Sequence, residues 1–156
     1  MSRVTWIAIG GLGAVLVVAF GIWLASGTDA PATNVRMPEN VDVAQGEAVY
    51  AAQCASCHGA DLEGQPNWQT PGPDGVLPAP PHDDSGHTWH HPDSMLFDYT
   101  KFGGEEAAAR MGLEGVVSGM PGFGDVLSDQ DIWNVLAFIK SHWSARNQEL
   151  QAQRTP

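Results

Sequence analysis

Cys54-Ala55-Ser56-Cys57-His58 constrains this chain more than any other stretch. Two cysteines three apart, followed at once by a histidine, have the C-x-x-C-H spacing of covalent c-type haem attachment. The spacing follows from the chemistry. Each thiol can add across one haem vinyl group, giving two thioether bonds. On a helix, residues i and i+3 share a face, so both sulfurs reach the same porphyrin edge. His58 lies four residues after Cys54 on that face, and its imidazole can take an axial position on the iron. The competing reading is a redox or zinc C-x-x-C. The chain has only these two cysteines, so there is no second pair for a zinc site. No strand–helix pattern of the thioredoxin kind surrounds the motif. With both cysteines inside it, no disulfide framework reports on the compartment.

The first residues have a different character. Val4 to Ala25 carries no charge, and as a helix it spans about 33 Å, enough for the hydrocarbon core of a bilayer. Arg3 precedes it and Asp29 is the first charge after it. That bias places the N-terminus in the cytoplasm and the remainder outside. Residues 1–27 are therefore expected to be a single-pass anchor. The alternative is a cleaved signal peptide, whose apolar region is normally shorter. Either way the rest is exported, to the periplasmic side of a bacterial inner membrane. Residues 28–42, with Pro31 and Pro38, read as a linker reaching at most about 55 Å when extended. Such a tether raises the effective concentration towards partners near the membrane.

The net charge is −11, from 18 acidic and 7 basic residues. This balance argues against nucleic acid as a partner. It favours a partner with a basic docking surface; simple solubility is the plainer explanation.

Val43 to Ala55 reads as a helix running into the motif, with Val43, Gly46, Ala48, Val49 and Tyr50 as a small and apolar stripe. Gly46 inside a helix costs about 1 kcal/mol against alanine, so close approach of another helix is expected there. That second helix lies near the C-terminus. Ser128 and Asp131 resemble a capping box, and Ile132, Trp133, Val135, Leu136, Ile139 and Trp143 follow at helical spacing. Between them, Gly64 to Pro81 is too rich in proline and glycine for a regular helix or a central strand, and reads as an ordered loop. Pro92 to Phe102 reads as a short helix ended by Gly103-Gly104. Residues 43–145 make up the expected domain, and 146–156 a polar tail.

The second ligand candidate is Met120, in Val117-Ser118-Gly119-Met120-Pro121-Gly122-Phe123-Gly124. Glycines and a proline around it make a helix-core role improbable. A thioether is a soft, neutral ligand, and His/Met coordination raises the haem potential. Met95, Met111 and the histidines of residues 82–91 are the rivals. Two strong axial ligands would leave no open iron position, which suits electron transfer and not oxygen or peroxide chemistry.

Taken together, these features resemble a class I cytochrome c over roughly residues 42–145. The distal pattern, Met120-Pro121-Gly122-Phe123-Gly124 with Leu127-Ser128-Asp129 and Ile132-Trp133, is similar to that of many bacterial members. The resemblance implies an all-α fold of a few helices around one covalently attached haem c, here preceded by the transmembrane helix. It implies that Gly46 and Tyr50 meet the terminal helix, with Leu136, Phe138 and Ile139 as candidate partners. It also implies that the Pro80 carbonyl accepts the N–H of His58 and strengthens it as a ligand. The activity implied is one-electron transfer without catalysis. The donor would be a bc1-type quinol-oxidising complex and the acceptor a terminal oxidase or reductase. A cytochrome subunit of a dehydrogenase or peroxidase-type enzyme, or a haem- or copper-binding sensor, is the alternative.

One segment is left over. His82 to His91 holds four histidines and two aspartates. Three readings are open: a loop packed on the haem, with the Trp89 indole N–H donating to a propionate; an exposed loop without a special role; or a second metal site, since imidazole suits copper and zinc.

Overall fold

Asp42 opens the first helix of the described chain, which covers residues 35–155 in this computed structural model. The expected anchor and residues 28–34 of the linker lie outside the described residues. The Asp42 carboxylate accepts the N–H of Gln45 at 3.0 Å, satisfying one of the orphan donors at the start of α1, Val43–Val49. The helix then widens into a π turn, Tyr50–Cys54, and tightens again as α2, Ala55–His58. A plain helix was expected through residue 55. The π insertion changes the register, so that Tyr50 is buried in the core while Cys57 stays exposed. Insertions of this kind are frequent at functional sites.

Gly59 ends α2. Its φ of +82° and ψ of 149° lie in a region open essentially to glycine alone. Beyond it the proline-rich stretch has neither helix nor strand, as expected. Its two ends are laced together beside the motif: Gly64 N–H donates to His58 O at 2.7 Å, and Gln65 N–H donates to Ala79 O at 2.8 Å. A 3₁₀ turn, Thr88–His90, follows. Then comes α3, Asp93–Phe102, with Pro92 at its cap and Gly103 at its end.

Gly104–Arg110 forms α4, a helix the sequence did not announce. It is short and begins on a glycine. Its support is local: alanines in the middle, Glu105 and Glu106 in the first turn and Arg110 in the last, which suits the helix dipole. The capping box of Ser128 and Asp131 is present and starts α5, Asp129–Ser141. Every residue from Ile132 to Ile139 is buried, so α5 is a central helix and not a one-sided surface one.

The polar end of the chain is a second helix of its own. Ser144 caps α6, Ala145–Arg154, and Asn147 and Gln151 are buried against neighbouring segments. Residues read as a tail thus pack on the domain. Hydropathy missed this because polar side chains are buried there through hydrogen bonds.

α1 crosses α5 at Gly46. A Cβ on Gly46 would overlap the Asn134 carbonyl and lie 3.0 Å from Phe138 Cβ. The Tyr50 and Phe138 rings meet at 5.4 Å, so the expected contact with the terminal helix is present. Phe97 stacks on Trp133 at 4.5 Å and joins α3 to α5. Asn134 is the polar member of this crossing: its Oδ1 accepts the N–H of Asp42 at 2.9 Å. Residues 35–42 lack helix but are not loose. Val35, Met37 and Val41 lie against the core, and Met37 N–H donates to Asp93 Oδ2 at 2.9 Å. Among the described residues there is no strand, and no helix is long and apolar enough to cross a membrane.

Candidate functional site

The motif occupies the end of the α1–α2 helical stretch. Cys54 is half-buried, Cys57 is exposed, and both are free thiols. Burial, and then the neighbouring Cys57, push the Cys54 thiol up to about 11. A redox-active C-x-x-C needs the opposite, a lowered thiol pKa. Two thiols presented together suit addition to vinyl groups instead.

His58 is buried. Its Nδ1 lies 2.9 Å from Pro80 O. A carbonyl only accepts, so Nδ1 carries the proton and Nε2 keeps its lone pair for a metal. Burial holds the imidazole below its ordinary pKa, against the opposing pull of the Pro80 carbonyl; the neutral form is the one that ligates. Tyr50 supports the same corner. Its hydroxyl donates to Gly59 O at 2.9 Å, with His58 O at 3.4 Å, and burial raises its pKa.

Met120 is held differently. It is half-buried in an irregular segment. Its N–H donates to Ser118 Oγ at 3.2 Å, and its carbonyl accepts from Gly104 N–H at 3.0 Å. Next along the chain, Phe123 N–H donates to Thr100 O at 3.0 Å and Gly124 N–H to Lys101 O at 2.9 Å. The segment is therefore tied to the junction of α3 and α4 through its backbone. Of the rival methionines, Met95 sits within α3 and Met111 lies exposed at the end of α4.

One loop reaches His58 and the neighbour of Met120. Pro80 contacts His58, and four residues earlier Val76 lies beside Gly119, where an added Cβ would stand 3.2 Å from Val76 Cγ1. Leu77, Leu113 and Val117 are each more than half exposed, at 52%, 53% and 55%. Apolar side chains left open on the loops leading to Pro80 and Met120 are what a porphyrin would cover. Two neighbouring thiols, a neutral imidazole with a free Nε2, a thioether on a pinned loop and uncovered apolar residues together fit a covalently attached haem.

The histidine segment breaks up into separate ring contacts. His82 lies on His58, with centroids 4.0 Å apart and planes 19° from parallel. Burial, with His58 and His87 beside it, holds His82 well below its ordinary pKa. His87 stacks on Trp68 at 5.2 Å and meets His91 edge-on. His90 packs on Trp89 at 3.7 Å. Among the described residues no three His, Cys, Asp or Glu side chains form a group able to hold a metal ion. The Trp89 N–H donates to Gly86 O at 3.1 Å, so that donor is engaged within its own loop.

Several supporting residues gave no sequence signal. Leu62, at a φ of +64°, accepts the N–H of His82 through its carbonyl at 2.8 Å. Trp143 donates its indole N–H to His82 O at 2.8 Å. Asp84 accepts the Ser144 N–H at 3.0 Å and Asn147 Nδ2 at 2.8 Å, and so joins α6 to the histidine segment.

Residues 41–139 match the sequence family described as cytochrome c oxidase, cbb3-type, subunit III. The chain is also 28% identical over 135 residues to a thiosulfate dehydrogenase of Stutzerimonas stutzeri (strain A1501), an alignment covering 81% of this chain and 38% of that protein. The chain thus spans well under half the length of the curated relative it matches. No solved structure matches it.

Proposed function

The chain belongs to the c-type cytochrome family described as cytochrome c oxidase, cbb3-type, subunit III, and on that footing we propose that it is a membrane-tethered one-electron carrier. It is a class I c-type cytochrome with covalently bound haem c. When bound, the haem supplies reversible one-electron chemistry at its edge. The protein's residues decide what that chemistry is used for. Cys54 and Cys57 hold the porphyrin. His58 presents Nε2 to one iron face because Pro80 O holds Nδ1 at 2.9 Å. Met120 offers its thioether to the other. Were both residues to ligate the iron, no position would be left for oxygen or peroxide, and the haem would supply electron transfer alone. The pinning of His58 by Pro80 is the observation that carries this reading.

The tether is the uncharged run Val4 to Ala25 behind Arg3, which places the domain on the periplasmic face of a bacterial inner membrane. Residues 35–42 pack on the domain and so add nothing to the reach of a tether. Partners must come close to the membrane. A bc1-type quinol-oxidising complex as donor and a terminal oxidase as acceptor meet that condition, and the family's description supports the oxidase end. The partner's docking face is basic. The net charge of −11 is what supports this.

A second reading has its own support. The similarity to a thiosulfate dehydrogenase favours a role as the electron-accepting module of an oxidising enzyme. One preparation separates the two. The purified full chain, oxidised, is expected to show the weak methionine-to-iron charge-transfer band at the red end of its spectrum, unchanged by cyanide or peroxide. A high-spin spectrum that shifts with those ligands overturns the carrier reading. Reduction of the haem by thiosulfate with no other protein present establishes the enzyme reading instead.

A further inference from the structure

The His58 ring has one hydrogen bond, from Nδ1 to Pro80 O at 2.9 Å. A single bond at one ring atom sets the tautomer and leaves the imidazole free to rock about its Cβ–Cγ bond. The face of the ring needs a second restraint, and His82 supplies one. The two imidazoles are 4.0 Å apart and 19° from parallel.

His82 is itself held on every side. Its backbone N–H donates to Leu62 O at 2.8 Å, and its carbonyl accepts the Trp143 indole N–H at 2.8 Å. Its ring Nδ1 lies 2.8 Å from Thr88 Oγ1, and that hydroxyl has Pro81 O as an acceptor at 3.4 Å. The edge of the Tyr50 ring closes another side at 6.4 Å. Leu62 adopts a left-handed φ of +64° to bring its carbonyl there, a conformation that persists only where the surroundings enforce it. Two of these bonds fix the His82 backbone and one fixes its ring, so the ring stands in a set place against His58.

We infer that His82 is a positioning residue for the haem, fixing the plane in which the His58 imidazole stands. This rests on His58 being the axial ligand. Pro80 and His82, two residues apart on one rigid segment, then control the two freedoms of that ligand: Pro80 its tautomer, His82 its azimuth. The azimuth of an axial imidazole selects the iron orbital it overlaps. It thereby distributes unpaired spin over the porphyrin and contributes to the potential. Outer partners of this kind tune a metal as well as orient its ligands.

The test uses the oxidised full-length holoprotein. The proton NMR shifts of the haem methyls report the azimuth, and a redox titration reports the potential. His82→Leu, which keeps apolar bulk and loses the planar face, is expected to reorder the methyl shifts. It should also change the equilibrium constant against a reference couple about threefold, about 30 mV at 59 mV per tenfold for one electron. His82→Phe, which keeps the face, is expected to restore the native methyl order. Thr88→Val, which frees the His82 ring without removing it, should move the pattern the same way by less, and serves alone if His82→Leu does not fold. Native methyl shifts in both His82→Leu and Thr88→Val overturn the proposal. In the wild-type protein, hyperfine-shifted ring resonances assigned to His58 establish the ligand independently. Their absence overturns the ligand reading itself.

Discussion

The two sides of the site are built on different principles. His58 is held by side chains and rings: Pro80 O, the face of His82 and the Tyr50 hydroxyl on the adjoining backbone. Met120 is held by its backbone, laced through Ser118, Gly104 and the neighbouring bonds to Thr100 and Lys101. Around His58, Tyr50 and Thr88 are buried and Pro80 and His82 half-buried; on the segment before Met120, Leu113, Val116 and Val117 are exposed. The difference shows which side depends on its cofactor. The His58 side has its geometry from the polypeptide alone. The Met120 side has a fixed loop path, and the polypeptide leaves its apolar residues exposed.

The largest expected effect comes from breaking the Met120 side. Met120→Ala should convert the oxidised haem to high spin and abolish the methionine-to-iron band. The helical circular dichroism should stay the same, because the bonds that hold that loop use the Met120 backbone and not its side chain. An unchanged low-spin spectrum would assign the sixth position elsewhere.

Next in size is damage beneath the His58 side. Gly46→Ala should destabilise the domain by about 3 kcal/mol, near the upper end for overpacking. The new methyl meets the Asn134 carbonyl, a backbone atom that cannot swing aside. The gain in helix propensity, about 1 kcal/mol, is smaller. Denaturant melts of the two chains check this; a more stable variant would mean that α1 and α5 part easily.

Acid probes the support behind the histidine segment. Burial raises the Asp93 pKa, but bonds from Lys140, Met37 and Gln151 outweigh it and hold the carboxyl below its usual range. A carboxyl depressed in the folded state stabilises fully above its unfolded pKa, near 3.9, and that contribution is lost as pH falls below it. Asp84 behaves alike, lowered chiefly by the Ser144 N–H. Asp93→Asn should cost about 2 kcal/mol at neutral pH, within the range for hydrogen bonds to charged groups. It should also flatten the acid limb of the stability curve. An acid limb as steep as the wild type would place the titration in other groups.

The smallest effect sharpens the contrast. Leu113→Ser, on an exposed position of the Met120 side, should change the unfolding free energy by less than about 0.5 kcal/mol. A loss well above that in the holoprotein would show that the haem covers this residue.

What was legible in the sequence was short-range chemistry. The cysteine and histidine spacing, the Ser128–Asp131 cap, the glycine at Gly46 and the Gly103 stop each depend on a few adjacent residues, and each is found in place. The Pro80 contact came from family likeness, where the residues themselves left the register open among several prolines. What stayed hidden depends on distance along the chain. The π turn at Tyr50–Cys54 shows no change in residue pattern. α6 buries Asn147 and Gln151 through partners about sixty residues away, so hydropathy reads it as tail. The histidines of residues 82–91 left three readings open: a loop packed on the haem, an exposed loop or a second metal site. The fold turns His82 towards His58 and leaves the others in separate ring contacts, a sorting that only tertiary structure makes.

The start and the end of the described chain are fastened to each other. Arg36 Nη2 donates to Thr155 O at 3.0 Å, Met37 N–H donates to Asp93 Oδ2 at 2.9 Å, and Asp93 N–H donates to Thr155 Oγ1 at 3.2 Å. A pull on the chain ahead of residue 35 therefore loads this knot first. The strain passes into the ends of α3 and α6, and the cysteine motif lies downstream of the knot, outside the direct line of force.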